Sequence, residues 1–66
     1  MVALRSTSIV DAEFTPDRED HGELTITFVN GSSYTFSDVP VSVFEGLITA
    51  SSPGSYFHAV IKDAYG

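Results

Sequence analysis

Cysteine and tryptophan are absent from this 66-residue chain, and cations are scarce: three Lys and Arg residues stand against nine carboxylates. Without cysteine there is no disulfide framework, no thiolate zinc site and no cysteine nucleophile. The three cations, Arg5, Arg18 and Lys62, sit in a chain of net charge −6. Duplex or long single-stranded nucleic acid is held by several Lys and Arg contacts, so a long polyanion is disfavoured, whereas a small anion needs only one local cluster of donors. No apolar run approaches the ~18 residues of a membrane span, and Arg5 interrupts the N-terminal stretch too early for a signal peptide. The expectation is one cytoplasmic domain over residues 1–66, with 1–7 fraying or leading into a strand, and with no membrane partner. So short a chain buries only roughly 60% of its unfolded surface, which makes self-association a natural supplement to its core.

What is present is organised by period. Ile9 to Phe14 alternates as a strand, with Val10, Ala12 and Phe14 on one face; Ile9 breaks the alternation and predicts an early bulge. Thr15 to Glu23 is a polar, acidic loop. Leu24, Ile26 and Phe28 alternate with Thr25, Thr27 and Val29, Asn30-Gly31 signals a turn, and Tyr34-Thr35-Phe36 resumes the pattern. A two-residue loop would put Tyr34 and Phe36 opposite the Leu24/Ile26/Phe28 face. A three-residue loop from Val29 to Gly31, with Gly31 left-handed, pairs Ile26 with Tyr34 and Leu24 with Phe36, gathering all five large side chains on one face. Burial worth ~1.5–3 kcal/mol per side chain favours the second register, with Tyr34 and Phe36 in the core.

From Pro40 the period becomes helical, through Val43, Phe44, Leu47 and Ile48. Either Pro40 in the first turn or a Ser42/Glu45 capping box marks the start. Ser52-Pro53 then opens a second short helix carrying Tyr56, Phe57, Val60, Ile61 and Ala64 on one stripe. The fold class expected is α+β: a three-stranded antiparallel meander followed by two short helices packed on one face.

An ordered set of residues along nearly the whole chain, roughly Thr7 to Gly66, resembles the KTSC domain family. It comprises Ser8-Ile9 leading to Phe14, Leu24-x-Ile26-x-Phe28, Gly31, Tyr34-x-Phe36, Val39-Pro40, Val43-Phe44-Glu45, Ser52-x-Gly54-x-Tyr56-Phe57, Ile61-Lys62 and Tyr65. That family is named for a C-terminal extension of some lysyl-tRNA synthetases and also occurs as free-standing small proteins of bacteria and phages. The resemblance implies RNA as a ligand. Two departures stand out: the family's central Tyr-x-Tyr is Tyr34-Thr35-Phe36 here, and the first interstrand loop is longer and acidic.

The candidate sites each have a bland alternative. Asp17-x-Glu19-x-His21-Gly22 imitates the opening of a calcium loop, but its twelfth position is Phe28 where a bidentate Glu is required, so no metal or other cofactor is called. His21 and His58 lack an orienting acid and an oxyanion motif, so no catalytic residue is called and the protein is read as a non-enzyme. Tyr34 and Phe36 would form a base-stacking platform if exposed. The Ser52-Pro53-Gly54-Ser55 turn offers small side chains and a helix N-terminus to an anion, which needs a cation from elsewhere: Arg5, or Lys62 of a neighbouring copy. Tyr65, near the C-terminus, covers the core or an interface. The ligand-binding set is thus Ser52, Gly54, Ser55, Arg5, Lys62, Tyr34 and Tyr65. The expected function is a small non-catalytic module that binds a nucleotide or short RNA and forms a homo-oligomer. The alternative is an acidic protein-interaction or ligand-sequestering protein of phage type acting on a host partner.

Overall fold

The computed structural model describes residues 2, 3 and 8–65. Alternation and turn chemistry give four antiparallel strands in sequential order: β1 (Val2–Ala3), β2 (Ile9–Pro16), β3 (His21–Phe28) and β4 (Ser33–Pro40). Helix α1 (Val41–Thr49) and helix α2 (Pro53–Tyr56) follow, and α2 continues without a break into a π-helical turn over Phe57–Ile61. The α+β arrangement of a meander followed by two short helices stands, with β1 added as a brief fourth strand beside Asp11 and Ala12.

The bulge falls early in β2, where the register slips between Ile9 and Asp11. It overturns the expected face assignment. The extra residue turns Val10 out to solvent and sends Ile9 inward with Ala12, so Ile9 rather than Val10 is fully buried. The β2–β3 connection is also shorter than the acidic run suggested. Pairing continues to Pro16 opposite Gly22, and the amides of Asp17 and Arg18 both donate to the His21 carbonyl.

The β3–β4 hairpin takes the three-residue loop. Phe28 N donates to Ser32 O at 2.8 Å, and Ile26 pairs with Tyr34 and Leu24 with Phe36. Gly31 has φ 91°, a left-handed conformation that closes this loop at little cost only for glycine. Asn30 Oδ1 accepts from Ser32 N at 2.9 Å and holds the turn. Further along β4, Ser37 and Asp38 together oppose Glu23, and Asp38 is left-handed with φ 57°.

One face of the sheet is covered. Leu24, Ile26, Phe36 and Val39 from the strands meet Leu47 of α1 and Phe57 and Ile61 of the π turn, closed at the loop end by a stacked Phe14–Phe44 pair 5.1 Å apart. The other face stays wet, with Thr25 and Thr35 sharing a 3.0 Å hydroxyl hydrogen bond and Thr27 and Ser33 another. Neither helix start is as simple as its signal. Pro40 is the residue just outside α1, the Ser42/Glu45 capping box is not formed, and the Val41 amide donates instead to Asp20 O of the β2–β3 loop. Ser52 does cap α2 ahead of Pro53, though through no side-chain bond to the backbone.

Candidate functional site

Tyr34 is on the core face, as its register requires, but it is 55% exposed while Phe36 is only 8% exposed. Tyr34 is therefore not a core residue. The reason is reach: the helices cover Leu24, Phe36 and Val39 and stop short of the hairpin end. What they leave open is a groove of about 320 Å³ lined by Phe28, Tyr34, Phe36, Phe57 and Lys62. That volume lies at the lower end of the ~300–1,000 Å³ typical of small-ligand sites.

The groove walls are a continuous aromatic cluster. Phe28 meets Tyr34 edge-on at 5.6 Å and Phe57 edge-on at 5.3 Å, and Phe57 lies 5.8 Å from Phe36. Edge-to-face geometry at these spacings is favourable and fixes the rings against one another. The outer side of the Phe28/Tyr34 pair borders a second, more open depression lined also by Ser8, Val29 and Asn30.

Lys62 reaches this groove because of the π turn. Its amide donates to Phe57 O at 2.9 Å, a bond spanning five residues. At the ~100° per residue of an α-helix, Lys62 would sit about 140° around the axis from Phe57. At the roughly 80° per residue of a π turn the separation falls to about 40°, and both residues face one side. The same slip carries Ala64 out of the apolar stripe, where it is exposed.

Charge is divided between the two ends of β3. Arg18 forms ion pairs with Asp17 at 3.8 Å and with Asp38, at the end where Glu19, Asp20 and Glu23 are also exposed. From Leu24 to Ser37 the chain carries no charged residue. Lys62 therefore stands, among the described residues, as the fixed cation without an acidic partner. His58, one turn earlier, is exposed and packs edge-on against Phe57 at 5.7 Å.

The remaining expected site residues are dispersed. Ser52 and Ser55 are exposed and spend their hydroxyls on each other, Ser52 Oγ donating to Ser55 Oγ at 3.0 Å, with Gly54 half-buried between them. None of the three lines the groove. Tyr65 is half-buried against the core, and its amide donates to Ile61 O at 3.3 Å. Arg5 lies outside the described residues. The structure thus brings Tyr34 and Lys62 together and adds Phe28, Phe36 and Phe57. Sequence reasoning placed those three in the core, and only the end of helical cover distinguishes a core ring from a groove ring. Among the described residues no three His, Asp or Glu side chains converge as metal ligands, and no helix is long and apolar enough to cross a membrane.

Comparison with known proteins agrees with the pattern of residues. A 42-residue stretch is 45% identical to a lysine–tRNA ligase of Nostoc sp., covering 64% of this chain but only 8% of the ligase. A protein of Tsukamurella paurometabola is 28% identical over 65 residues, 98% of this chain and 92% of that one. The family model for the KTSC domain matches residues 5–65. The chain belongs to the KTSC domain family.

Proposed function

We propose that this protein is a non-catalytic binding module whose groove holds one unpaired base and a neighbouring phosphate, as found in a nucleotide or a short RNA. The observation that carries this reading is the sharing of one groove by exposed Tyr34, the Phe28 and Phe57 rings and unpaired Lys62. A π face for stacking contributes about 1–3 kcal/mol per base, and a single ammonium adds one phosphate contact. A long polyanion gains nothing more, because the other described cation is neutralised at the far end of the sheet. The lysine–tRNA ligase relative supports an RNA-related ligand, since an enzyme acting on tRNA carries a related segment.

A nuclear magnetic resonance titration of the labelled protein with nucleoside monophosphates and a short single-stranded RNA tests the reading. The amides of Phe28, Tyr34, Phe57 and Lys62 are expected to shift, and Tyr34→Ala is expected to weaken binding about tenfold. The salt slope should be shallow, near the −0.7 or so of a single phosphate contact. Gly54→Asp serves as the control, because it loads charge onto the Ser52–Ser55 turn and should leave groove binding intact. Shifts confined to the Ser52–Ser55 turn would move the site there, with Arg5 or a neighbouring Lys62 as its cation.

The carboxylates exposed around the β2–β3 loop favour a second reading, an acidic surface for a cationic host protein. Silence of the groove amides to every nucleotide would transfer the function to that surface.

A further inference from the structure

The outer edge of β4 belongs to no other strand among the described residues. Phe28 and Ser32 are a hydrogen-bonded pair, so alternation makes Ile26/Tyr34 and Leu24/Phe36 hydrogen-bonded as well. The N–H and C=O groups of Ser33, Thr35 and Ser37 accordingly point away from the sheet. Free edges are normally blunted by lysine, proline, charge or a bulge. Residues 33–37 carry no charge and no proline, and the bulge begins only at Ser37 and Asp38.

These five residues, Ser33-Tyr34-Thr35-Phe36-Ser37, also read nearly the same in both directions about Thr35. A two-fold antiparallel pairing sets each residue against its mirror-position residue on the other copy, and this near-palindrome matches like with like at every such pair. We infer that two copies of this chain pair antiparallel along β4 with the two-fold axis at Thr35. In that register Thr35 lies opposite the partner's Thr35, and Tyr34 opposite the partner's Phe36. Ser33 meets the partner's Ser37, so every outward backbone group finds a mate.

Charge selects a second copy as the occupant. Most of the surface of a −6 chain repels its own kind. The 24–37 segment that holds this edge is uncharged, and Asp38 at its border is held by Arg18 and falls opposite the neutral Ser32 of the partner. The pairing also accounts for exposed Tyr34, which acquires an aromatic cross-strand neighbour, and it sets the partner's Tyr34 beside Phe36 at the rim of each groove. The inference goes beyond the nucleotide reading and stands without it.

Sedimentation equilibrium over a range reaching millimolar concentration is the first test. A species of twice the 7.1 kDa chain mass is expected, and a monomer throughout would overturn the inference. Thr35→Lys sets two ammonium groups against each other at the axis and should weaken dimerisation by roughly tenfold or more. A folded Thr35→Lys protein that dimerises like the wild type also overturns it. The second test uses the absence of cysteine. Thr35→Cys, oxidised gently, should form a disulfide-linked dimer, whereas Ser42→Cys on the exposed side of α1 should not. Equal cross-linking of the two variants counts against the axis, and this comparison decides the matter if Thr35→Lys does not fold.

Discussion

Phe36 shows how much one side chain carries in a domain this small. It is 8% exposed, pairs with Leu24 and touches the Phe57 ring, so it ties the sheet to the π turn. Truncation to alanine costs about 3–5 kcal/mol for a buried phenylalanine. An unstapled core of this size supplies little more than about 3–5 kcal/mol in total. Phe36→Ala is therefore expected to be unfolded at 25 °C by near-ultraviolet circular dichroism and thermal melting. Near-wild-type melting would mean that Phe36 is not the joint between the layers. Tyr34, two residues away on the same face, behaves oppositely: half of its surface already meets water, so its removal should be felt in binding more than in folding.

Among the elements, α1 and α2 interlock at Gly46. A β-carbon built on Gly46 would run into the hydroxyl end of Tyr56, whose ring is packed against the core. Helix propensity alone ranks alanine above glycine by about 1 kcal/mol in a helix interior. The steric conflict outweighs that gain, and Gly46→Ala is expected to lower the melting temperature. Adding Tyr56→Phe removes the nearest clashing atom, so the double variant should recover on the order of 1 kcal/mol relative to additivity. A rise in melting temperature for Gly46→Ala alone would show that the ring is free to move aside.

The elements also mark how far the residues could be read without coordinates. The three long strands, the hairpin register and left-handed Gly31 were legible, because burial of Leu24, Ile26 and Phe36 on one face admits only one loop length. Ile9 was legible as an irregularity but not as a core residue, since a bulge reverses the sides of everything before it. The π turn was not legible. Phe57 to Ala64 fits an α-helical stripe in period, and the five-residue hydrogen bond that brings Lys62 to Phe57 is a tertiary choice. Tyr34 was visible as a residue of the covered face. That the cover ends before it depends on how short α2 and its continuation are.

For the whole molecule the governing quantity is self-repulsion. The protein measures 31 × 21 × 21 Å. The Debye length is about 30 Å at 0.01 M salt and about 8 Å at 0.15 M. At low salt every carboxylate acts on every other across the molecule, while near physiological salt only neighbours do. Raising sodium chloride over that range is expected to raise the melting temperature, read by circular dichroism at fixed protein concentration. A flat or falling curve would show that the ion pairs of Arg18 outweigh the repulsion they sit in.

The sequential order of the strands governs the speed at which this chain reaches its structure. Each strand pairs only with its immediate neighbours in sequence, so loop closures are short and little entropy is lost before contacts form. The β2–β3 and β3–β4 hairpins each leave four residues between their strands, so both closures are short. The β3–β4 hairpin, uncharged from Leu24 to Ser37 and with left-handed Gly31 in its loop, is the natural starting point, with β2 adding next. Until Leu47, Phe57 and Ile61 arrive, the sheet bares its apolar face, and nothing but the helical segment can dry it. Folding is therefore expected to be fast for a β-rich domain, with the docking of the helices falling after the transition state. Mutations in the π turn would then accelerate unfolding far more than they slow refolding.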